Sequence, residues 1–386
     1  MRKPIPYGRQ TITQKDIDAV VETLSSDFLT QGPKIAEFES AFAEYVGAKY
    51  AIAVSNGTAA LHLSVMALDL QKGEQVITTP ITFVASANCV KYQEGEIVFA
   101  DIDPESYLID LVAVEELLKK SEPGTFKGII PVDFAGFPVN MEALRSLADK
   151  YKLWIIEDAC HAPGGFFTDS KNNRQYCGNG EFADLTVFSF HPVKHIATGE
   201  GGMITTNSEL LYNKLLMLRS HGITKDPQLL QQQDGPWYYE MQMLGFNYRL
   251  TDIQAALGIS QLQEASGRLK RRIEIAGRYN TALENVPGIL ATPILDPGHA
   301  FHLYVIEVHD RSGLYNFLRS KNIFTQIHYI PAHLMPYYQD LGWKKGDLPV
   351  AEAYYENCIS LPLFPGLTDE EQEYIIEAIL EFYKTR

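Results

Sequence analysis

Three short segments of this 386-residue chain carry side chains whose types and spacing suit chemistry. The first is Ser55-Asn56-Gly57-Thr58-Ala59-Ala60-Leu61, which follows an apolar run at 51–54 and opens a helical pattern. Gly57 lets the backbone approach a ligand, Thr58 offers a hydroxyl, and the free N–H groups of a helix start attract an anion. An ordinary strand–turn–helix with Ser55 or Asn56 as N-cap fits the same residues. The second is Trp154-Ile155-Ile156-Glu157-Asp158-Ala159-Cys160-His161, an apolar strand ending in two acids and then a histidine. Asp158 there suits a protonated ring nitrogen or Mg²⁺, or simply caps the next turn. The chain has no G-x-x-x-x-G-K-[ST], so a nucleotide hydrolase is rejected. The third is Thr186-Val187-Phe188-Ser189-Phe190-His191-Pro192-Val193-Lys194-His195, followed by a glycine-rich turn at 199–202. A lysine just past a buried strand loses hydration, which lowers its pKa and makes the amine nucleophilic. A surface lysine remains the plain alternative.

The order of these segments adds weight that none has alone. A phosphate-type turn, a strand-end aspartate and Ser-x-x-x-x-Lys are together what pyridoxal phosphate requires. Its phosphate needs a helix start with hydroxyls, its ring nitrogen a carboxylate, and its aldehyde a lysine. Other patterns drop out. Gly178-Asn179-Gly180-Glu181-Phe182-Ala183 fits G-x-G-x-x-G/A but runs from a polar loop into a strand, so it is no dinucleotide fingerprint. Cys89, Cys160, Cys177 and Cys358 form no C-x-x-C and read as thiols of a reducing compartment. A zinc site from Cys160, His161 and Cys177 matches no recurrent ligand spacing, and no metal is expected. The sequon Asn56-Gly57-Thr58 carries no weight without a secretory signal.

The elements that must position these residues alternate between short apolar runs and helical stretches. Strands are predicted at 50–54, 75–79, 97–100, 128–132, 153–157, 185–190 and 202–206, with helices at 58–70, 85–92, 112–120 and 141–151. Thr13 opens an earlier helix with Ile17, Val20, Val21 and Leu24 at helical spacing. This alternation predicts an α/β fold with a mostly parallel central sheet and helices on both faces. Near residue 250 the texture changes. One long helix is expected over 251–283, its basic run at 268–272 reading as a solvated face. A strand at 302–308, a helix at 313–321, a strand at 324–329 and a capped helix at 367–383 follow. The expected division is a large α/β unit at 1–250 and a smaller α+β unit at 251–386.

Composition narrows the partners. The chain has 33 Lys+Arg against 48 Asp+Glu, a formal charge of −15, which argues against nucleic acid or an anionic membrane. Hydrophobic residues at 46% and charged residues at 21% are the balance of a folded protein. No run approaches the ~18 apolar residues of a membrane span. The opening Met1-Arg2-Lys3-Pro4 has no apolar stretch behind it, so a cytoplasmic location is expected.

Four stretches then resemble the DegT/DnrJ-type sugar-nucleotide aminotransferases. They are 187–202 (VFSFHPVKHIATGEGG), 235–258 (GPWYYEMQMLGFNYRLTDIQAALG), 326–331 (QIHYIP) and 359–369 (ISLPLFPGLTD). The resemblance covers essentially the whole chain and implies the fold-type I transferase fold, aspartate aminotransferase-like. It implies that Lys194 bonds the aldehyde of pyridoxal 5′-phosphate and then moves protons, that Asp158 pairs with the ring nitrogen, and that His161 lies near the 3′-oxygen. Phe83 resembles the aromatic that stacks on the ring, and Gly57, Thr58 and Ser189 match the phosphate cradle. Asn247 matches a residue that reaches the phosphate from the neighbouring subunit, which implies a homodimer with composite sites. Tyr7, Asp27, Phe28, Leu29, Thr30, Gln326, Ile327, His328 and Tyr329 resemble the sugar-nucleotide side, and Arg249 suits the donor's carboxylate. Within the family the resemblance is to the branch that takes L-glutamate and a UDP-linked 4-keto-6-deoxy-N-acetylhexosamine. Another 4-keto or 3-keto sugar nucleotide is the nearest rival, and a non-catalytic sugar-nucleotide-binding regulator a further one. His195 departs from the pattern with no role implied.

Overall fold

The computed structural model describes residues 3–232 and 234–384. Seven apolar runs become the strands of one sheet: β1 (Tyr50–Val54), β2 (Gln75–Thr78), β3 (Glu96–Phe99), β4 (Phe126–Ile130), β5 (Trp154–Asp158), β6 (Leu185–Ser189) and β7 (Gly202–Thr206). Their order is β1-β7-β6-β5-β4-β2-β3. β7 runs antiparallel to both neighbours, and every other pair is parallel. Ile52, Val54, Val187 and Ile204 join one core, while Ala51, Ala53, Phe188 and Met203 join another. Side chains alternate along a strand, so the sheet is buried on both faces, as a sheet of continuous apolar runs must be. Helix Gly57–Ala67 has nine of its 11 residues buried and is apolar all round, which places it inside the domain. The carboxyl ends of β1, β5 and β6 fall on one edge, where open α/β sheets bind ligands.

A second sheet, β8 (Ile289–Ala291), β9 (Tyr304–Val308) and β10 (Cys358–Leu361), is antiparallel throughout. Its core takes Ile275, Tyr279, Ile306, Ile359 and Ile379, together with Ile5 from the start of the chain. The Ile5 N–H donates to the Asn322 carbonyl at 2.9 Å, and the Leu363 N–H to the Tyr7 carbonyl at 3.0 Å. These bonds hold Tyr7 over the edge of the large sheet. The capping box of helix Asp369–Lys384 forms as its sequence predicts, Thr368 and Glu371 bonding each other's N–H groups at 3.1 Å.

Three expectations change. The 251–283 helix is two helices, Asp252–Gln263 and Ala265–Leu283, because its halves bury against different partners. The first lies against helices Gln14–Leu24 and Pro33–Val46, and Gly258 lets Phe38 in, since a Cβ there would meet the Phe38 ring at 2.6 Å. The second enters the C-terminal core through Ile275, Ala276, Tyr279 and Leu283. The basic run is not a solvated face throughout. Arg272 is 2% exposed, and its Nη1 donates to the carbonyls of Phe301, His302 and Leu363 at 3.2 Å each. Residues 324–329 make a single bridge, Gln326 with Ser360, rather than a strand. Side chains take the backbone groups that a ladder would need: Gln326 Oε1 accepts the Ile327 N–H at 2.9 Å, and Tyr354 Oη donates to the His328 carbonyl at 2.6 Å. Among the described residues no helix is long and apolar enough to cross a membrane.

Candidate active site

A cavity of about 700 Å³ opens at the carboxyl ends of β1, β5 and β6, lined also by Tyr7, His302, His328 and Tyr329. At its floor Asp158 ends β5 and is 5% exposed. Asp158 Oδ2 accepts from Ser86 Oγ at 2.6 Å, and Oδ1 from the Cys160 N–H at 3.2 Å. Ser86 Oγ lies 2.8 Å from Thr82 Oγ1, so its position is fixed from the other side. Lys194 lines the same cavity from a turn after β6, where its N–H donates to the His191 carbonyl at 2.8 Å. Burial lowers the Lys194 pKa below the ordinary lysine range, and the neighbouring Cys160 and Asp158 offset part of that.

The anion cradle is built by close packing. Asn56 Oδ1 accepts the Ala59 N–H at 2.8 Å and caps the helix, while the N–H groups of Gly57 and Thr58 belong to its first turn, which has no intrahelical acceptor. A Cβ on Gly57 would lie 3.0 Å from Ser189 Cβ and 3.3 Å from its Oγ, so glycine brings that turn against the serine hydroxyl. A Cβ on Gly202 would meet the Asn56 carbonyl at 2.6 Å, so β7 also needs glycine where it passes the turn.

Aromatic and imidazole rings form the opposite wall. Phe83 lines the cavity 60% exposed, presenting a bare ring. His161 Nε2 and Tyr329 Oη lie 3.2 Å apart, and the His161 ring sits 4.4 Å from that of His302. Burial, then the charge of Lys194, holds His161 well below the usual imidazole range, so the ring is neutral. His328 Nδ1 lies 2.8 Å from Ser360 Oγ, and burial lowers its pKa to about 3. Its ring is 5.3 Å from Tyr7, whose hydroxyl burial pushes up.

Ten of the residues singled out in the sequence line this one cavity: Tyr7, Gly57, Thr58, Phe83, Asp158, His161, Ser189, Lys194, His328 and Tyr329. Asp27, Phe28, Leu29, Thr30, Asn247, Arg249, Gln326 and Ile327 lie outside it in a single chain. Thr30 pairs with Thr251, Asn247 with Ser220, Arg249 with Val54 and Gln326 with Ser360. Ser86 and His302 line the cavity without a sequence signal, and Tyr248 and Glu200 line it from stretches that carry the resemblance. Ser86 is 72 residues from Asp158, and no spacing rule links them. The zinc trio does not assemble, because Cys177 clusters with Asp133 and Glu157 instead.

These groups fit pyridoxal phosphate part by part. The Gly57–Thr58 turn with Ser189 suits a phosphate, the bare Phe83 ring suits a planar heterocycle, and the Asp158 carboxylate suits a protonated ring nitrogen. Lys194 suits an aldehyde carbon. The model of the DegT/DnrJ/EryC1/StrS aminotransferase family matches residues 10–380. The chain is 40% identical to the spore coat polysaccharide biosynthesis protein SpsC of Bacillus subtilis over 389 residues, 98% of this chain and 97% of that protein. Helicobacter pylori PseC, an aminotransferase involved in the biosynthesis of pseudoaminic acid, superimposes with a TM-score of 0.89 at 32% identity, covering 100% of both chains. Spr1654 of Streptococcus pneumoniae in its PLP-form gives 0.89 at 29% identity over 99% of each chain, and a PMP-form of it matches as well.

Proposed function

The chain belongs to the DegT/DnrJ/EryC1/StrS aminotransferase family of pyridoxal phosphate-dependent sugar aminotransferases, and from that premise we propose its substrates. The amino group of L-glutamate passes to C4 of UDP-2-acetamido-2,6-dideoxy-β-L-arabino-hexos-4-ulose. The product is UDP-4-amino-4,6-dideoxy-N-acetyl-β-L-altrosamine, a step of pseudaminic acid biosynthesis. The likeness to PseC across both whole chains supports this choice of sugar. The observation that carries amine transfer is that Lys194 and Asp158 face one cavity beside the Gly57–Ser189 cradle.

Pyridoxal phosphate, when bound, supplies an electron sink for the charge that develops at the donor Cα. Asp158 is oriented by Ser86 and the Cys160 N–H, so its carboxylate would hold the ring-nitrogen proton. The N–H groups of Gly57 and Thr58 and the Ser189 hydroxyl bind the phosphate. Phe83 would cover the ring face, and His161, neutral and next to Tyr329, would serve the 3′-oxygen. Lys194 would take the proton from the donor Cα and give it back later in the reaction, and its lowered pKa leaves more of the amine free to do so. Tyr7, His328 and Tyr329 line the side from which the sugar nucleotide enters.

A homodimer completes the site in this reading. Ile17, Val21 and Leu24 form an apolar stripe on the first helix that is 48%, 54% and 54% exposed, with Phe28 and Leu29 exposed beside it. In this reading Asn247 serves the neighbour's phosphate, Arg249 the donor carboxylate, and Asp27–Thr30, Gln326 and Ile327 the nucleotide. The test follows the two half-reactions. L-Glutamate alone should bleach the cofactor's absorbance band and release 2-oxoglutarate, and the 4-keto sugar should restore the band. Restoration only by a D-configured or 3-keto sugar rejects the substrate, and no bleaching rejects amine transfer.

A further inference from the structure

Behind Asp158 lies a second group of ionisable side chains that the chemistry above does not use. Asp133, Glu157 and Cys177 are 0%, 4% and 2% exposed, and one ligand-type atom from each lies within 4.8 Å of the others. Their hydrogen bonds are unequal. Glu157 Oε2 accepts from the Gly178 N–H at 3.0 Å and from Thr186 Oγ1 at 2.7 Å. Two donors on one oxygen favour the ionised form. Asp133 Oδ1 accepts the Val139 N–H at 2.9 Å, whereas its Oδ2 is enclosed and has no donor. An ionised carboxylate would bear that loss unrelieved, but a proton on Oδ2 turns it into a donor aimed at an acceptor nearby. The Glu157 carboxylate, within 4.8 Å, offers that acceptor.

The group is tied to the catalytic strand end. The Asp133 N–H donates to the Asp158 carbonyl at 3.1 Å, the Asp158 N–H donates to the Pro131 carbonyl at 2.9 Å, and Glu157 directly precedes Asp158. We infer that Asp133 and Glu157 share one proton, carried on Asp133 Oδ2, and act as a buried positioning pair for Asp158. Burial, then the Glu157 charge, pushes the Asp133 carboxyl well up, and burial keeps the Cys177 thiol neutral. Cys177, Cys160 and Asp158 are titratable groups that face the pair. The pair leaves one negative charge behind Asp158 rather than two, which limits repulsion against the carboxylate that meets the cofactor.

The functional half of this inference rests on Asp158 as the partner of the ring nitrogen, while the shared proton does not. Infrared spectra of both apoenzyme and holoenzyme at neutral pH should therefore show a protonated-carboxyl C=O band that shifts with isotope-labelled aspartate and vanishes in Asp133→Asn. Absence of the band, or its survival in Asp133→Asn, overturns the shared proton. So does a stoichiometric divalent metal in the purified holoenzyme that is lost in Cys177→Ser. Asp133→Asn keeps a donor towards Glu157 and should retain cofactor and thermal midpoint near wild type. Asp133→Leu, of similar size with no donor, should lose cofactor affinity by about tenfold or more. A folded Asp133→Leu enzyme with unchanged cofactor affinity overturns the positioning role.

Discussion

Ser86 Oγ donates to Asp158 Oδ2 at 2.6 Å, so the carboxylate proposed to meet the cofactor nitrogen is aimed by a hydroxyl from the helix that follows Phe83. Removing that donor leaves one oxygen of a buried carboxylate free to turn. Ser86→Ala should weaken cofactor binding by about 1.5–3 kcal/mol, the worth of a hydrogen bond to a charged group, or roughly tenfold to a hundredfold. Equilibrium release of the cofactor, followed by absorbance, reads this directly. Unaltered affinity would mean that the Cys160 N–H alone fixes Asp158.

Lys194 makes a prediction about stability as well as catalysis. Its pKa is lowered in the folded chain, so between that value and 10.5 the unfolded state binds more protons. Its contribution to apoenzyme stability is therefore unfavourable at neutral pH and is relieved as pH rises towards 10.5. Lys194→Met should abolish borohydride fixation of the cofactor and leave the apoenzyme melting no lower than wild type at pH 7. A clearly lower melting temperature would show that the lysine is a net stabilising group.

Burial lowers the pKa of both His299 and His328 to about 3. For each, the unfolded state binds the extra proton below pH 6.5, so stability falls as pH falls from 6.5 towards about 3. The slope is about 1.4 kcal/mol per pH unit per histidine, felt from pH 6.5 to 5 before most carboxylates titrate. Urea unfolding at stepped pH measures it, and a flat profile over that window would mean that these rings accept protons while folded.

Much of this molecule is legible before its structure. β1, β7 and the helices Ala85–Tyr92 and Met141–Tyr151 fall at their predicted bounds, because unbroken apolar runs and helical spacing are local signals. Asp158 and Lys194 reach one cavity from equally local signals, the first ending β5 and the second sitting in the turn after β6. The Asp133–Glu157–Cys177 group was not, since it meets only where β4 lies beside β5 and the loop before β6 folds back. Arg272 misleads because a basic run does not reveal that the carbonyls of Phe301, His302 and Leu363 wait for its guanidinium.

Asn247 is exposed and outside the cavity of its own chain, so the phosphate role proposed for it needs a second copy. Asn247→Ala alone should retain cofactor poorly. Mixed with Lys194→Ala, it should recover activity, because a heterodimer then holds one site with both residues intact. No recovery in verified heterodimers would place Asn247 outside the composite site.

The central claim is amine transfer to C4 of the L-configured UDP-4-keto sugar, and NMR of the product tests it most directly. With nitrogen-labelled L-glutamate, the holoenzyme should place the label on C4 of UDP-4-amino-4,6-dideoxy-N-acetyl-β-L-altrosamine. A label on C3, on a D-configured sugar alone, or on no sugar at all would contradict the account.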